Sequence, residues 1–166
     1  KGSEPVTWTE LVHATSPPVS PHLGLWDIAS QPDGLYTLYL MAEDQAGLST
    51  EKRVPLTLDQ TLPTVALNEP PDGAYLSTGL TLTGSASDMH LVSYRIEIAP
   101  VSEPEQWSTI AHGTTPVENG ELGQWQALPP DGTYQLRLSA MDAADNAAQV
   151  LRRVTVDTRP PSAPAV

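Results

Sequence analysis

The chain has 166 residues and carries 20 acidic against 8 basic side chains, so its formal net charge is −12. Such a surface repels phosphate backbones, which argues against nucleic-acid binding, and it suits a secreted protein or one that collects divalent cations. With no cysteine, disulfides, thiolate zinc sites and cysteine nucleophiles are excluded. No apolar run approaches the roughly 18 residues that a membrane-spanning helix needs.

An internal repeat with a period of about a hundred residues organises the chain. The offset is 99 residues at first and 98 residues after a one-residue deletion. The matched pairs include Trp8 with Trp107, His13 with His112, Trp26 with Trp125, Asp33 with Asp131, Tyr36 with Tyr134, Leu38 with Leu136, Leu40 with Leu138, Asp44 with Asp142 and Asp59 with Asp157. This period is that of an immunoglobulin-type sandwich, whereas solenoid repeats are much shorter.

The first copy predicts four strands, in chain order Pro5–Thr15, Leu23–Ala29, Leu35–Glu43 and Ser49–Leu58. They match the fourth to seventh strands of the second copy, and nothing in the first copy corresponds to the first three. Four strands alone would leave unpaired backbone and an open core face. We therefore expect residues 1–60 to be the C-terminal part of a first domain, completed by a swapped strand, a second chain or a proteolytic partner fragment.

The second copy predicts seven short strands with turn signals between them and no helical period. In chain order they are Thr64–Leu67, Gly79–Ala86, Leu91–Ala99, Gln106–Ala111, Gly123–Ala127, Gly132–Met141 and Gln149–Val156. Residues 61–158 are thus expected to form a complete second domain. Residues 159–166 align with the stretch from Thr61 to Leu67, which predicts a linker and the start of a further domain. The predicted fold class is all-β, as tandem β-sandwiches of which the first lacks its N-terminal strands.

Two families resemble this sequence. The stretch LPPDGTYQLRLSA, from Leu128 to Ala140, resembles the tyrosine-corner region of fibronectin type III domains. That resemblance implies that the hydroxyls of Tyr36 and Tyr134 bond back to the turn before them. The second copy as a whole is similar to bacterial immunoglobulin-like repeats of large secreted and surface proteins, with Asp59–Pro63 and Asp157–Pro161 as linker signatures. It departs from their pattern at Asp145, where those repeats have glycine.

The second resemblance implies calcium as an expected ion, because calcium often sits at the domain junctions of such arrays and prefers six to eight hard oxygen ligands. The candidate ligands are Asp44, Asp59, Asp142, Asp145, Asn146 and Asp157, all in predicted loops or linkers. The alternative is that these are ordinary turn residues whose side chains bond local amides. The sequence leaves both interpretations open, and it requires no other cofactor.

The repeated tryptophans, Trp8, Trp26, Trp107 and Trp125, also allow two interpretations. If they are exposed, they could stack against sugar rings, as in carbohydrate-binding modules. If they are buried, they are packing residues that each copy needs for its own sandwich. Recurrence of both members at matched positions is typical of scaffold residues.

No catalytic motif is present in the chain. His13 and His112 repeat, but one histidine per copy does not make a metal triad. The sequence lacks a Gly-x-Ser-x-Gly elbow, a His-Glu-x-x-His helix and a phosphate-binding glycine loop. Nothing places two carboxylates in one cleft, so we do not expect an enzyme.

The favoured interpretation is a non-catalytic spacer, adhesion or assembly module of a larger bacterial extracellular protein, secreted or on the cell surface. The alternative is an accessory module of a secreted hydrolase or toxin that binds carbohydrate or protein. The expected partners are the rest of its own polypeptide or a second chain completing the first domain, besides a protein or glycan ligand, with no membrane insertion. A third interpretation makes the first copy a receptor for a donated strand, with an open groove beside Leu35–Glu43.

Overall fold

The computed structural model describes residue 5, residues 7–16 and residues 22–162. The chain divides into two compact units, unit 1 with residues 1–60 and unit 2 with residues 61–166. The described part consists of strands and connections, and it holds no helix long and apolar enough to cross a membrane. The predicted start of a further domain includes residues 163–166, which lie outside the described residues.

Unit 1 contains one antiparallel hairpin among its described residues. Its strands are β1 (Gly34–Glu43) and β2 (Ser49–Leu58). They pair without a bulge from Gly34 opposite Leu58 to Glu43 opposite Ser49. Both strands match their predicted positions within one residue.

The described residues of unit 2 form eight strands in two sheets. They are β3 (Thr64–Glu69), β4 (Ala74–Leu76), β5 (Leu80–Ser87), β6 (Leu91–Pro100), β7 (Ser108–Gly113), β8 (Val117–Trp125), β9 (Gly132–Asp142) and β10 (Ala147–Val156). One sheet has the order β3-β5-β8 and the other has the order β4-β10-β9-β6-β7. The chain changes sheet at every step from β3 to β6, and again between β7 and β8 and between β8 and β9. That alternation makes unit 2 an immunoglobulin-like β-sandwich.

The core of unit 2 lies between these two sheets. Leu82 of the small sheet and Ile96, Leu136 and Leu138 of the large sheet are each fully buried. Alternate side chains along β9 face the core, while Arg137 between the two leucines faces outward. The alternation read from the sequence therefore has the predicted faces.

Strand β7 is shifted by two residues from the predicted Gln106–Ala111, so Trp107 precedes it. Two other strands of unit 2 differ more from the predicted ones. The short strand β4 was not predicted; it pairs in parallel with the end of β10. Strand β8 begins at Val117, whereas the sequence predicts a start at Gly123. The polar stretch in between contains Asn119 at φ +47°, beside a shift in the register of β8 against β5. In a sequence, an asparagine in a polar stretch suggests a turn. Here its left-handed conformation marks a bulge inside a strand.

Two strands predicted in unit 1, Pro5–Thr15 and Leu23–Ala29, do not form among the described residues of those ranges. The physical reason is the lack of ladder partners. In unit 2 the corresponding strand β7 pairs with β6, and β8 pairs with β5. The described residues of unit 1 supply no counterpart of β5 or β6, the strands that form these ladders in unit 2.

The tyrosine corner predicted by resemblance is confirmed in both units. The Tyr36 hydroxyl donates to the carbonyl oxygen of Pro32 at 2.6 Å. The Tyr134 hydroxyl donates to the carbonyl oxygen of Pro130 at 2.7 Å. Each bond ties the turn before the strand to the strand itself.

Truncating one repeated leucine should affect stability according to its burial. Leu138→Ala removes a fully buried side chain and should lower the free energy of unfolding of unit 2 by about 2–5 kcal/mol. The matched control is Leu40→Ala at the same position of unit 1, where the leucine is 47% exposed and the loss should stay below about 1 kcal/mol. Urea unfolding followed by the amide NMR signals of each unit measures both losses; equal losses would contradict the burial argument.

Candidate functional site

The acidic loop between β9 and β10 is held by its own first aspartate. Oδ1 of Asp142 accepts hydrogen bonds from the backbone N–H groups of Ala144 and Asn146, each at 2.8 Å. Oδ2 accepts a third from the Asn146 side-chain amide, also at 2.8 Å. The Asp142 side chain is almost entirely buried, and its carboxylate is committed to local donors.

These bonds also set the charge state of Asp142. Burial on its own would raise the pKa of this carboxyl, because it disfavours the charged form. The hydrogen bonds from Asn146 and Ala144, together with the nearby His90, outweigh burial and hold the pKa of Asp142 below its usual range. The loop therefore contains a carboxylate that stays ionised without a metal ion.

The corresponding loop of unit 1 has the same construction. Oδ1 of Asp44 accepts from the backbone N–H groups of Ala46 and Leu48 at 2.8 and 2.9 Å. The residue at the sharpest point is Gly47 here, at φ +81°, and Asp145 in unit 2, at φ +64°. Aspartate is among the few residues that tolerate this left-handed conformation. Asp145 thus replaces the glycine of the pattern as a turn residue.

The six candidate calcium ligands do not come together within either unit. In unit 2, Asp142, Asp145 and Asn146 lie at one end of β10 and Asp157 at the other, about 30 Å apart at roughly 3.3 Å per residue. In unit 1, Asp44 and Asp59 are likewise separated by the ten residues of β2. Within each unit, local bonding accounts for Asp44 and Asp142, and calcium binding stays a prediction.

The tryptophans of unit 1 lie on opposite faces of β1. The Trp8 ring packs on Tyr39 with centroids 4.9 Å apart, and the Arg53 guanidinium lies 5.8 Å from the Trp8 ring. The Trp26 ring meets Tyr36 edge-on at 5.3 Å. Because Tyr36 and Tyr39 are three residues apart on one strand, their side chains point to opposite faces.

Unit 2 repeats this division of its two tryptophans. The Arg137 guanidinium stacks 4.0 Å from the Trp107 ring on the outer face of β9. Trp125 is only 3% exposed, belongs to the core and donates its ring N–H to the carbonyl of Ala127. Trp125 therefore lacks the exposure on which sugar stacking depends. In both units, the pair does not share one face.

A contact that the sequence did not predict joins the Pro-Asp-Gly turn before β9 to the chain that follows β10. Oδ1 of Asp131 accepts from both the backbone N–H and the hydroxyl of Thr158, at 2.9 and 2.8 Å. Oδ2 accepts from the Arg159 side chain. These bonds hold the pKa of Asp131 below its usual range, with the Thr158 backbone N–H as the largest cause. We call this arrangement the exit clamp.

Unit 1 has an exit clamp at the matching positions. Oδ1 of Asp33 accepts from the backbone N–H of Gln60 at 3.0 Å, and the Gln60 side-chain amide donates to the carbonyl of Gln31 at 2.9 Å. Asp33 precedes Asp131 by 98 residues, and Gln60 precedes Thr158 by the same number. The turn aspartate and the linker both recur at the same offset, and this shared recurrence was the signal that could have revealed the clamp.

The hairpin of unit 1 exposes an apolar face. Its core-type side chains are Leu38 and Leu40 of β1 and Val54 of β2, exposed by 39%, 47% and 47%. We call these three residues the open face. The equivalents of the two leucines in unit 2, Leu136 and Leu138, are fully buried.

Two open depressions of about 470 and 610 Å³ adjoin Trp125 in unit 2. Among the described residues, those that line the depressions include no aspartate, glutamate or histidine. Hydrolysis of a glycosidic bond needs two carboxyl groups in one cleft. Neither depression offers that constellation.

No protein-family model and no curated protein matches the sequence. Among solved structures, the crystal structure of an engineered protein matches with 21% identity and a TM-score of 0.43, covering 57% of this chain and 20% of that one. Murine CRIg matches with 10% identity and a TM-score of 0.34, covering 60% of this chain and all of that one. The match thus spans only a fifth of the engineered protein. With TM-scores this low, neither likeness carries an argument, and the immunoglobulin-like assignment rests on the strand order.

Substitution of Asp145 separates the turn role from calcium ligation. Asp145→Gly should keep the stability of unit 2 or raise it by up to about 1 kcal/mol, because glycine adopts positive φ without a Cβ penalty. Asp145→Val should lower it by about 1–2 kcal/mol. Thermal unfolding with calcium and with chelator gives the measurement. A calcium-dependent rise in Tm that Asp145→Gly abolishes would contradict the turn role.

The exit clamp should make the free energy of unfolding of unit 2 depend on pH in the acid range. The pKa of Asp131 is lowered in the folded protein, so its contribution is complete above the unfolded value of about 3.9 and is lost as pH falls through the lower folded value. The free energy of unfolding of unit 2 should fall below about pH 4, less steeply in Asp131→Asn, with Thr158→Ala in between. Urea titrations from pH 2.5 to 7 test this, and identical slopes in wild type and Asp131→Asn would refute it.

Proposed function

We propose that the chain is a non-catalytic structural segment of a larger bacterial extracellular protein, in which immunoglobulin-like modules hold neighbouring parts in a set direction. The observation that carries this proposal is the exit clamp, which occurs in both units at matched positions. A spacer must control the direction in which the chain leaves each module. The clamp acts at that point of the chain.

In unit 1 the clamp connects the exit segment to the sheet by two hydrogen bonds in series. The Tyr36 hydroxyl fixes the Pro32 carbonyl, which belongs to the turn that carries Asp33. Asp33 in turn accepts the N–H of Gln60, two residues after the end of β2. Residue 60 is thereby tied to the start of the hairpin as well as to its end. The backbone direction at residue 60 is therefore fixed relative to the hairpin.

In unit 2 Asp131 accepts three hydrogen bonds, two from Thr158 and one from a charged donor, Arg159. The chain then continues through Pro160 and Pro161, whose rings restrict the backbone. Unit 1 is followed by Pro63 in the same way. Short proline-bearing linkers behave as semi-rigid spacers.

The extracellular setting is supported by composition. The chain combines 20 acidic side chains with no cysteine, and its two linker signatures are similar to those of bacterial immunoglobulin-like repeats. Residues 1–60 act in this proposal as part of a further module of the same type. The remaining strands of that module come from the rest of the polypeptide or from a second chain.

The clamp is tested by backbone dynamics at the exit segment. In wild type the amide of Gln60 should have an order parameter near 0.85, as in rigid backbone, and in Asp33→Ala it should fall below about 0.6. The matched control is Asp27→Ala, since Asp27 bonds only a nearby N–H, that of Ala29. 15N relaxation gives both values. A Gln60 amide that is already mobile in wild type would remove the support for a spacer.

A further inference from the structure

We propose that the outer face of the large sheet of unit 2 carries a binding site for a neutral glycan. The inference goes beyond the spacer function and does not depend on the exit clamp. An aromatic ring, a nearly buried carboxylate and an exposed guanidinium meet on this face. We call the following residues the tryptophan site: Arg95, Glu97, Trp107 and Arg137.

Two neighbouring strands and the segment before β7 bring the tryptophan site together. Arg137 lies between two fully buried leucines of β9 and therefore faces outward. Glu97 of β6 stands opposite Arg137 in the ladder, and Arg95 lies two residues earlier on the same strand. Residues that oppose each other in a ladder, or lie two apart in one strand, share a face. The Trp107 ring lies over the same face, 4.0 Å from the Arg137 guanidinium.

Glu97 provides a hydrogen-bond acceptor in this site. The residue is only 8% exposed although it faces outward. Its Oε2 accepts from Nε and Nη2 of Arg137 at 3.1 and 2.8 Å. Its Oε1 lies 3.8 Å from Nη1 of Arg95, which is longer than a hydrogen bond, and among the described residues no donor bonds to it. This oxygen can therefore accept a hydrogen bond from a hydroxyl group of a ligand.

The arginine and the tryptophan supply the other contacts that a sugar needs. The Arg95 side chain is 61% exposed, and a guanidinium carries five N–H donors. Trp107 is half-buried, and its indole has an apolar face on which the C–H groups of a pyranose ring can pack. Sugar hydroxyls both donate and accept, so one donates to Glu97 while its neighbour accepts from Arg95. A sugar thus satisfies the apolar and the polar parts of the site together.

Unit 1 has a tryptophan–arginine contact at the matching place, made by a different residue. The Arg53 guanidinium lies 5.8 Å from the ring of Trp8, within the range of a cation–π contact. Arg53 stands opposite Tyr39 in its ladder, whereas Arg137 stands opposite Leu151. Tyr39 and Arg137 are equivalent in the repeat, so the arginine occupies opposite members of the ladder pair. The two units therefore share the contact itself and not the position of the arginine.

The charge and the pairing of these strands favour a neutral glycan over other ligands. Arg137 and Glu97 form an ion pair at 2.8 Å, so Arg95 contributes the remaining charge of the site. The formal net charge of the chain is −12, which repels a polyanion. An added peptide strand needs a free sheet edge, whereas β6 and β9 are each paired on both sides. A neutral sugar meets neither obstacle.

NMR titration of the indole N–H signals in the full 166-residue chain tests the site. The probes are hexasaccharides of glucose, of mannose, of galactose and of N-acetylglucosamine. With at least one of them, the Trp107 signal should shift to saturation with a dissociation constant at or below about 1 mM. The signal of Trp125 should stay in place, because that ring belongs to the core.

Substitutions of the polar groups show whether the shift reports the proposed contacts. Glu97→Gln and Arg95→Gln should each raise the dissociation constant at least about tenfold, since each removes a charged hydrogen-bond partner. The matched control is Glu121→Gln, an exposed glutamate on the small sheet, which should leave binding unchanged. Arg95 is exposed, so its variant keeps the test decisive if Glu97→Gln does not fold. Dispersed amide signals in the same spectra report folding.

Three outcomes would overturn the inference. One is a Trp107 signal that none of the four hexasaccharides shifts at about 10 mM. Another is a shift that Arg95→Gln leaves unchanged, because the polar contacts would then play no part. The third is tighter binding of polygalacturonate that weakens as salt is added, which would identify a site for anions. None of these results bears on the exit clamp, so the spacer function is tested separately.

Discussion

One hydrogen bond, from a tyrosine hydroxyl to the carbonyl four residues earlier, is the constraint on which both units depend. In unit 2 the ring of Tyr134 lies in the core and its hydroxyl reaches the Pro130 carbonyl, so the turn cannot move independently of the sheet. The turn presents Asp131, and this aspartate accepts bonds from the chain that leaves the last strand. Turn, strand and exit segment therefore form one connected element.

The same element forms in unit 1 although little of it is buried. Its contacts, from the Tyr36 hydroxyl, Asp33 and Asp44, are made within the hairpin and the residues beside it. Local hydrogen bonds of this kind need no opposing sheet. Leu38 and Leu40, by contrast, stay 39% and 47% exposed. Both hairpins therefore have the hydrogen bonds that shape them, but only the hairpin of unit 2 is packed into a core.

Predictions from the sequence were most reliable for features set by neighbouring residues. They were least reliable for features that depend on a second strand packing or pairing alongside. Alternation along β9 predicted the strand and its faces, because these follow from the side-chain period. The resemblance to fibronectin type III domains implied its tyrosine corner. The segments near Trp8 and Trp26 carry a strand pattern too, yet they stay unpaired among the described residues. A strand needs a neighbouring backbone, and periodicity does not report whether one is present.

The candidate site follows the same division. An aspartate in a loop, such as Asp142 or Asp145, can serve either as a calcium ligand or as a turn residue. Only the tertiary structure distinguishes a carboxylate that accepts from N–H groups of its own loop from one that faces an ion. The role of Asp131 depended on a contact across 27 residues, which no local motif encodes. The sequence did not show which tryptophans are exposed. The structure places the two tryptophans of each unit on opposite faces of one strand.

By itself, the amino-acid sequence determined the repeat, the all-β class and the two hairpins, because turn chemistry and alternation are properties of neighbouring residues. Only the tertiary structure decided which repeated leucines are buried, which acids are committed to turns and where the exit segments are held. Those outcomes depend on what lies across the sheet or beyond the next strand. Leu40 and Leu138 share a position in the repeat and differ in burial for that reason.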